Sequence, residues 1–270
     1  MKTRVITAAA LIPALVLLVL TAPKIFSAIV MGILLVVAVY ELLYRTQYIQ
    51  NVRLILYSAV MAFAVSMWSF YGSDHGVFVL LNLAFFSMLF MEMMIDHIKV
   101  RLEMLCLCIL GGEIVPYMLT SVVRILSTAM GRYFVLIPFV IAFMSDAGAY
   151  FTGLRFGKHK IAPVLSPHKT LEGVLGGFVF AVIGMLVYAV ILALACKLHV
   201  NFLLALLYGF AGSAVGSFGD LCFSAIKRQT GIKDYGNLIA GHGGVLDRFD
   251  SMVLVAPLVE ALLLLLPIAV

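Results

Sequence analysis

The chain has 270 residues, 64% of them hydrophobic and 11% charged, and its mean hydropathy is strongly positive. That balance excludes a soluble globular domain, and a modest net charge of +5 makes no case for nucleic acid. Backbone inside lipid must hydrogen-bond within itself, so the expected fold class is all-α, a polytopic membrane helical bundle.

A spanning helix needs about 20 apolar residues. Nine runs qualify, with approximate cores 5–21, 25–44, 53–71, 77–95, 104–126, 133–153, 172–196, 202–225 and 251–269. The expectation is one integral-membrane domain over 1–270, with scaffold spans in 1–110 and catalytic spans and loops in 133–270. Lys2 and Arg4 before the first run imitate a signal peptide. A second full run follows almost at once, however, and a helical hairpin is the better reading. Cys106, Cys108, Cys196 and Cys222 lie in or at the ends of apolar runs and form no CxxC pair, so they indicate neither zinc nor a disulfide framework.

With the N-terminus inside, alternate loops hold fourteen of the eighteen basic residues, and the opposite side holds only Lys24, Arg124, Arg132 and Lys197. This positive-inside bias puts the loops near 155–170 and 227–248 on the cytoplasmic side of the inner membrane, where nucleoside triphosphates are.

The first half says little about function. Glu41, Glu92 and Asp96 sit near span ends where they can reach the interface, and Trp68, Phe70 and Tyr71 fit an aromatic belt. Glu113, inside the run GGEIVPY, is costly at that depth and calls for a polar cavity or a partner. Gly111 and Gly112 permit close helix approach, and Pro116 frees a carbonyl. Glu260 raises the same question and reads as structural.

Asp146 opens the first informative stretch, SDAGAYFTGLRFGKHKIAPVLSPHKTLEGVLGG. Ser166-Pro167 reads as a helix start, with Ser as N-cap and Pro in the first helical position. Lys169 and Thr170 then fall in the first turn, where unpaired N–H groups favour an anion. Gly173, Gly176, Gly177 and Gly184 give the next span a small-residue packing face.

The second stretch is Ser224 to Asp250, SAIKRQTGIKDYGNLIAGHGGVLDRFD. If the preceding helix continues, Asp220, Ser224 and Lys227 share one face. Glycines at 231, 236, 241, 243 and 244 allow a backbone that can cradle phosphate, and the lysines and arginines supply positive charge. Asp247 and Asp250 are three apart, and Asp220 and Asp247 are expected at one depth on consecutive helices. Two carboxylates there suit a Mg²⁺ shared with phosphate oxygens. Orientation alone would need only Lys and Arg, without the acids or the His-Gly-Gly turn.

The run S-x-I-K-R-x4-K-D-x-G-x2-I-x2-H-G-G-V-x-D-R-F-D closely resembles the signature of the phosphatidate cytidylyltransferases, or CDP-diacylglycerol synthases. The segment from Asp146 resembles their S-D-T-G-A-Y and S-P-K-K-T-x-E-G motifs. Ala147, His168 and Ala240 depart from the family pattern, and none of the three removes the acids, the second lysine or the glutamate. The resemblance covers roughly the C-terminal half. It implies a membrane enzyme that transfers CMP from CTP to phosphatidate, with Mg²⁺, alone or with a second cation, as cofactor, membrane lipid as surroundings and a homodimer as assembly.

On this reading Asp220 and Asp247 are the metal ligands, and with Lys227 and His242 they form the catalytic set. His242 orients or protonates pyrophosphate, with a structural turn histidine as the competing role. Substrate contacts are expected from Asp146, Ser166, Lys169, Thr170, Ser224, Arg228, Lys233, Asp234, Gly243, Gly244, Arg248 and Asp250. The rival readings are another CTP-using lipid enzyme, such as a polyprenol kinase or an archaeal-type CDP-lipid synthase, and a cation-coupled transporter lined by Glu113, Asp146, Asp220 and Glu260.

Overall fold

The computed structural model describes residues 19, 21–236, 238 and 243–269. Among the described residues, seven helices are long and apolar enough to cross a membrane: α1 (Lys24–Arg45), α2 (Val52–Phe70), α3 (His75–Ile95), α4 (Leu102–Ser127), α5 (Gly131–Phe156), α6 (Leu171–Leu194) and α7 (Phe202–Gln229). They follow the second to eighth apolar runs. The first run lies almost wholly outside the described residues. A short helix α8 (Leu246–Phe249) precedes α9 (Met252–Leu265).

The ninth run is corrected: α9 has only 14 residues, and the expected span 251–269 is helical over just that part. Pro267 disfavours helical backbone at the residue before it, and Leu266 has left the helix at φ −139°, ψ 69°. Beyond the helix, Asn201 donates its N–H to the Ile268 carbonyl at 2.9 Å and Val200 forms an isolated bridge with Ala269.

The chain divides into two compact units. The first comprises Met1–Ala129 with Gln229–Phe249, and the second Met130–Arg228 with Asp250–Val270.

In the first unit α1 packs along α2, and the Ser66 hydroxyl donates to the Ala28 carbonyl at 2.8 Å. Gly112 lies so close to α2 that an added Cβ would come within 2.9 Å of the Ser58 Cα, so the glycine pair does permit close approach. Two single π turns interrupt the helices, at Glu41–Arg45 and Leu110–Ile114. Pro116 accounts for the second: it supplies no N–H and crowds the carbonyl four residues back, so the preceding turn widens. Trp68 stacks on Phe78 with ring centroids 4.4 Å apart and donates to the Asp74 carbonyl at 2.7 Å.

In the second unit α5 and α6 meet along glycines. An added Cβ at Gly148 would lie 2.7 Å from the Gly176 carbonyl oxygen, and one at Gly177 3.0 Å from that of Ser145. The small-residue face read from the sequence is therefore a packing face. Between these helices a two-stranded antiparallel hairpin, β1 (Lys160–Ala162) and β2 (Ser166–Thr170), replaces the helix start expected at Ser166-Pro167. Thr170 is the actual N-cap, its hydroxyl accepting the Gly173 N–H at 3.2 Å. Extended backbone suits both Pro167 and the residue before it, so the Ser-Pro pair enters a strand and the cap moves four residues on.

Candidate active site

The second unit collects charged groups where α7 meets the hairpin and the start of α9. The helix does continue through 220–227, so Asp220, Ser224 and Lys227 share a face as expected, with the Ser224 hydroxyl 3.4 Å from Asp220 Oδ1. Gly219 allows the crowding beside Asp220: a Cβ there would sit 3.0 Å from the Asp250 carbonyl oxygen.

Two ion pairs follow. Lys169 Nζ lies 2.7 Å from Asp220 Oδ2 and also donates to the Ser217 carbonyl at 3.1 Å. Lys227 Nζ lies 3.7 Å from Asp250 Oδ2, and both side chains are largely buried. The lysine paired with Asp220 thus comes from β2, although Lys227 on the same helix face looked the nearer candidate in sequence. Burial pushes the Asp250 carboxyl above the ordinary carboxylate range; the Asp220 charge adds to the rise, Lys227 opposes it, and Asp146 contributes a smaller upward push. Asp146 itself is exposed on α5.

Arg228, read as a phosphate ligand, donates through Nε to the Leu165 carbonyl at 3.2 Å and so braces the hairpin. Ser166 is half-buried in β2, and Thr170 is buried with its hydroxyl spent on the cap. The first turn of α6 holds its own anion, Glu172. Its carboxylate accepts the Lys158 and His159 N–H groups at 3.0 and 3.2 Å and meets the His159 ring at 2.5 Å.

The first unit holds the glycine-rich part of the signature. Asp247 Oδ2 accepts the Tyr235 N–H at 2.8 Å and the Gly244 N–H at 2.9 Å, closing the loop on itself. The next two N–H groups, of Val245 and Leu246, donate to Glu41 Oε1 and Oε2 at 3.0 and 2.9 Å. These successive amides form the kind of concavity that binds anions, and carboxylates of the chain itself take them. Gly243 needs its glycine for a φ of +86°. Lys233, Asp234 and Arg248 are exposed, and His242 lies outside the described residues. Sequence reasoning missed Glu41, which it left as an interfacial acid; the structure buries it to 3% exposure. Its partners lie about two hundred residues away in sequence, so no spacing could have signalled them.

The donor chemistry can be tested against Mg²⁺. Among the described residues no three His, Cys, Asp or Glu side chains stand close enough to form a closed metal cage. Mg²⁺ is commonly held by one or two carboxylates, with substrate phosphates and water completing its shell. Asp220 with the buried Asp250 beside it fits that pattern, because a cation would relieve the cost of two neighbouring acids.

The family model described as the Cytidylyltransferase family matches residues 2–266. The chain belongs to that family. Among curated relatives, a phosphatidate cytidylyltransferase of Staphylococcus epidermidis is 43% identical over 134 residues, half of each chain. That of Bacillus subtilis is 43% identical over 135 residues, 50% of this chain and 49% of its own, and that of Staphylococcus aureus 42% over 136 residues, half of each. The matched segment thus spans about half the length of these relatives. In this member of the cytidylyltransferase family, Lys169, Asp220, Lys227 and Asp250 form a cluster of alternating charge.

Proposed function

We propose that the protein transfers CMP from CTP to phosphatidate, giving CDP-diacylglycerol and pyrophosphate. The observation that carries this reading is the Lys169–Asp220 and Lys227–Asp250 array, in a chain of the cytidylyltransferase family whose relatives carry that name. A phosphatidate oxygen attacks the α-phosphorus of CTP, a new P–O bond forms, and the bond to the β-phosphate oxygen breaks as pyrophosphate leaves. The nucleophile is already an anion near neutral pH, so the protein's task is to hold two anions together.

Lys169 and Lys227 bind and neutralise phosphate oxygens of the two substrates. Asp220, with Asp250 beside it, would hold Mg²⁺. When bound, that ion supplies charge neutralisation at the reacting phosphates. Arg228 keeps the hairpin, and with it Lys169, in register. Asp247 is proposed as a metal ligand on its sequence position, alongside its loop-closing bonds. The fourteen-to-four bias of basic residues supports a multi-pass protein of the inner membrane with this cluster facing the cytoplasm. A second cation and a homodimer belong to the same proposal; metal titration and the mass of the solubilised protein would read them.

The experiment is label transfer. Membranes holding the protein should incorporate label from CTP marked at the α-phosphorus into lipid when phosphatidate is added. Label arriving from the γ-phosphorus instead would indicate a kinase and overturn the proposal.

A further inference from the structure

Glu41 lies outside every motif that drew attention to the signature, yet the first unit builds the signature turn around it. Its two oxygens take the N–H groups of Val245 and Leu246 at 3.0 and 2.9 Å, a bidentate grip on the amides that start α8. Both residues are buried, at 3% and 1% exposure, and with Phe249 they line a small apolar pocket closed by Met31, Leu35, Ala38 and Leu119.

Two signature glycines make room for this carboxylate. A Cβ at Gly236 would strike Glu41 Oε1, and one at Gly244 would meet both oxygens. Only Gly72, Gly231 and Gly243 among the described glycines have positive φ, so what bars a side chain at 236 and 244 is space. The widened π turn at Glu41–Arg45 departs from regular helical register where the acid points, a kind of turn often found at functional sites.

We infer that Glu41 is a positioning residue for the transfer reaction: its carboxylate fixes the backbone of 244–247 and thereby the orientation of Asp247. This rests on the function proposed above. Glu41 touches neither substrate nor metal in this account. It acts through the loop that Asp247 closes with its bonds to Tyr235 and Gly244.

The consequence is measurable in two independent ways. In the solubilised protein, hydrogen exchange over 243–249 should be slow, and Glu41→Gln, which leaves one acceptor oxygen for two donors, should speed it at least tenfold there while α6 and α7 keep their protection. This readout needs no activity, so it judges the clamp even if the protein transfers no CMP. In turnover, Glu41→Gln at equal folded protein should lower kcat about tenfold to a hundredfold, the usual effect of losing a charge-assisted hydrogen bond. It should also raise the Mg²⁺ needed for half-maximal rate and leave the KM for phosphatidate near its starting value.

Gly244→Ala supplies the control for a fold that does not tolerate the glutamine. The alanine should be damaging where Glu41 is present and nearly harmless added to Glu41→Ala, because the space it needs is then vacant. Unchanged exchange at 243–249 in Glu41→Gln would remove the clamp. Faster exchange with wild-type kcat and Mg²⁺ dependence would reduce Glu41 to a structural acid, and additive effects of the Gly244 and Glu41 changes would refute the fit between them.

Discussion

Asp220 and Lys169 are 51 positions apart in sequence and 2.7 Å apart in space. A lysine that only neutralises a half-buried acid should become dispensable once the acid is gone. A lysine that also takes substrate phosphate should not. Asp220→Asn should therefore nearly abolish transfer, with partial recovery in raised Mg²⁺, and adding Lys169→Gln should restore nothing. Recovery in the double variant, with unaltered metal dependence, would reduce the pair to charge balance. Asp247→Asn is a separate case, because it weakens Oδ2 as the acceptor for Tyr235 and Gly244 as well as removing charge. It should lower activity and also loosen the loop, seen as faster exchange at 235 and 244. At this scale the sequence made the acids and lysines of the signature legible, since their chemistry is local. It hid the pairings, because Lys169 reaches Asp220 from a strand and Glu41 meets Val245 and Leu246 from about two hundred residues away in sequence.

Helices α1 to α7 were readable because each satisfies the hydropathy of a span by itself, whatever surrounds it. The hairpin was less so. SPHKT carries the marks of a helix start, and only its pairing with Lys160–Ala162 makes it a strand. Its role suggests a test at Arg228, whose bond to the Leu165 carbonyl joins α7 to the turn between β1 and β2. Arg228→Ala should lower transfer by about tenfold and open residues 163–166 to proteolysis, whereas a pure phosphate ligand would leave cleavage unchanged. The α5–α6 seam predicts the opposite pattern. Gly148→Ala would force a Cβ against Phe180 and the Gly176 carbonyl, so thermal stability should fall by about 1–3 kcal/mol. The Mg²⁺ dependence of whatever folds should be that of the unchanged protein.

For the whole molecule, topology is the first thing to measure. The residues after α9 meet the segment entering α7, through the Asn201 N–H to the Ile268 carbonyl and an isolated bridge of Val200 with Ala269. Reporters inserted at Lys197 and fused after Val270 should thus face the same side. Helix α6, 24 residues long, separates Lys197 from the hairpin by about 36 Å, enough to cross a bilayer. A reporter near Lys158 should face the other side, the cytoplasm. Agreement between Lys158 and Val270 would contradict both the pairing and the charge bias. The membrane architecture as a whole was thus legible from apolar runs, whereas the shortness of α9 was not, because apolar residues continue past the point where Pro267 ends the helix. Fourteen residues rise about 21 Å, while a hydrocarbon core is about 30 Å thick. If α9 crosses the bilayer, that mismatch is met by local thinning, by snorkelling of flanking residues or by association with other helices, each at a modest cost per ångström. On the function proposed above, CMP transfer should then run faster in vesicles of short-chain lipid than in long-chain ones, and equal rates across acyl lengths would remove that dependence on membrane thickness.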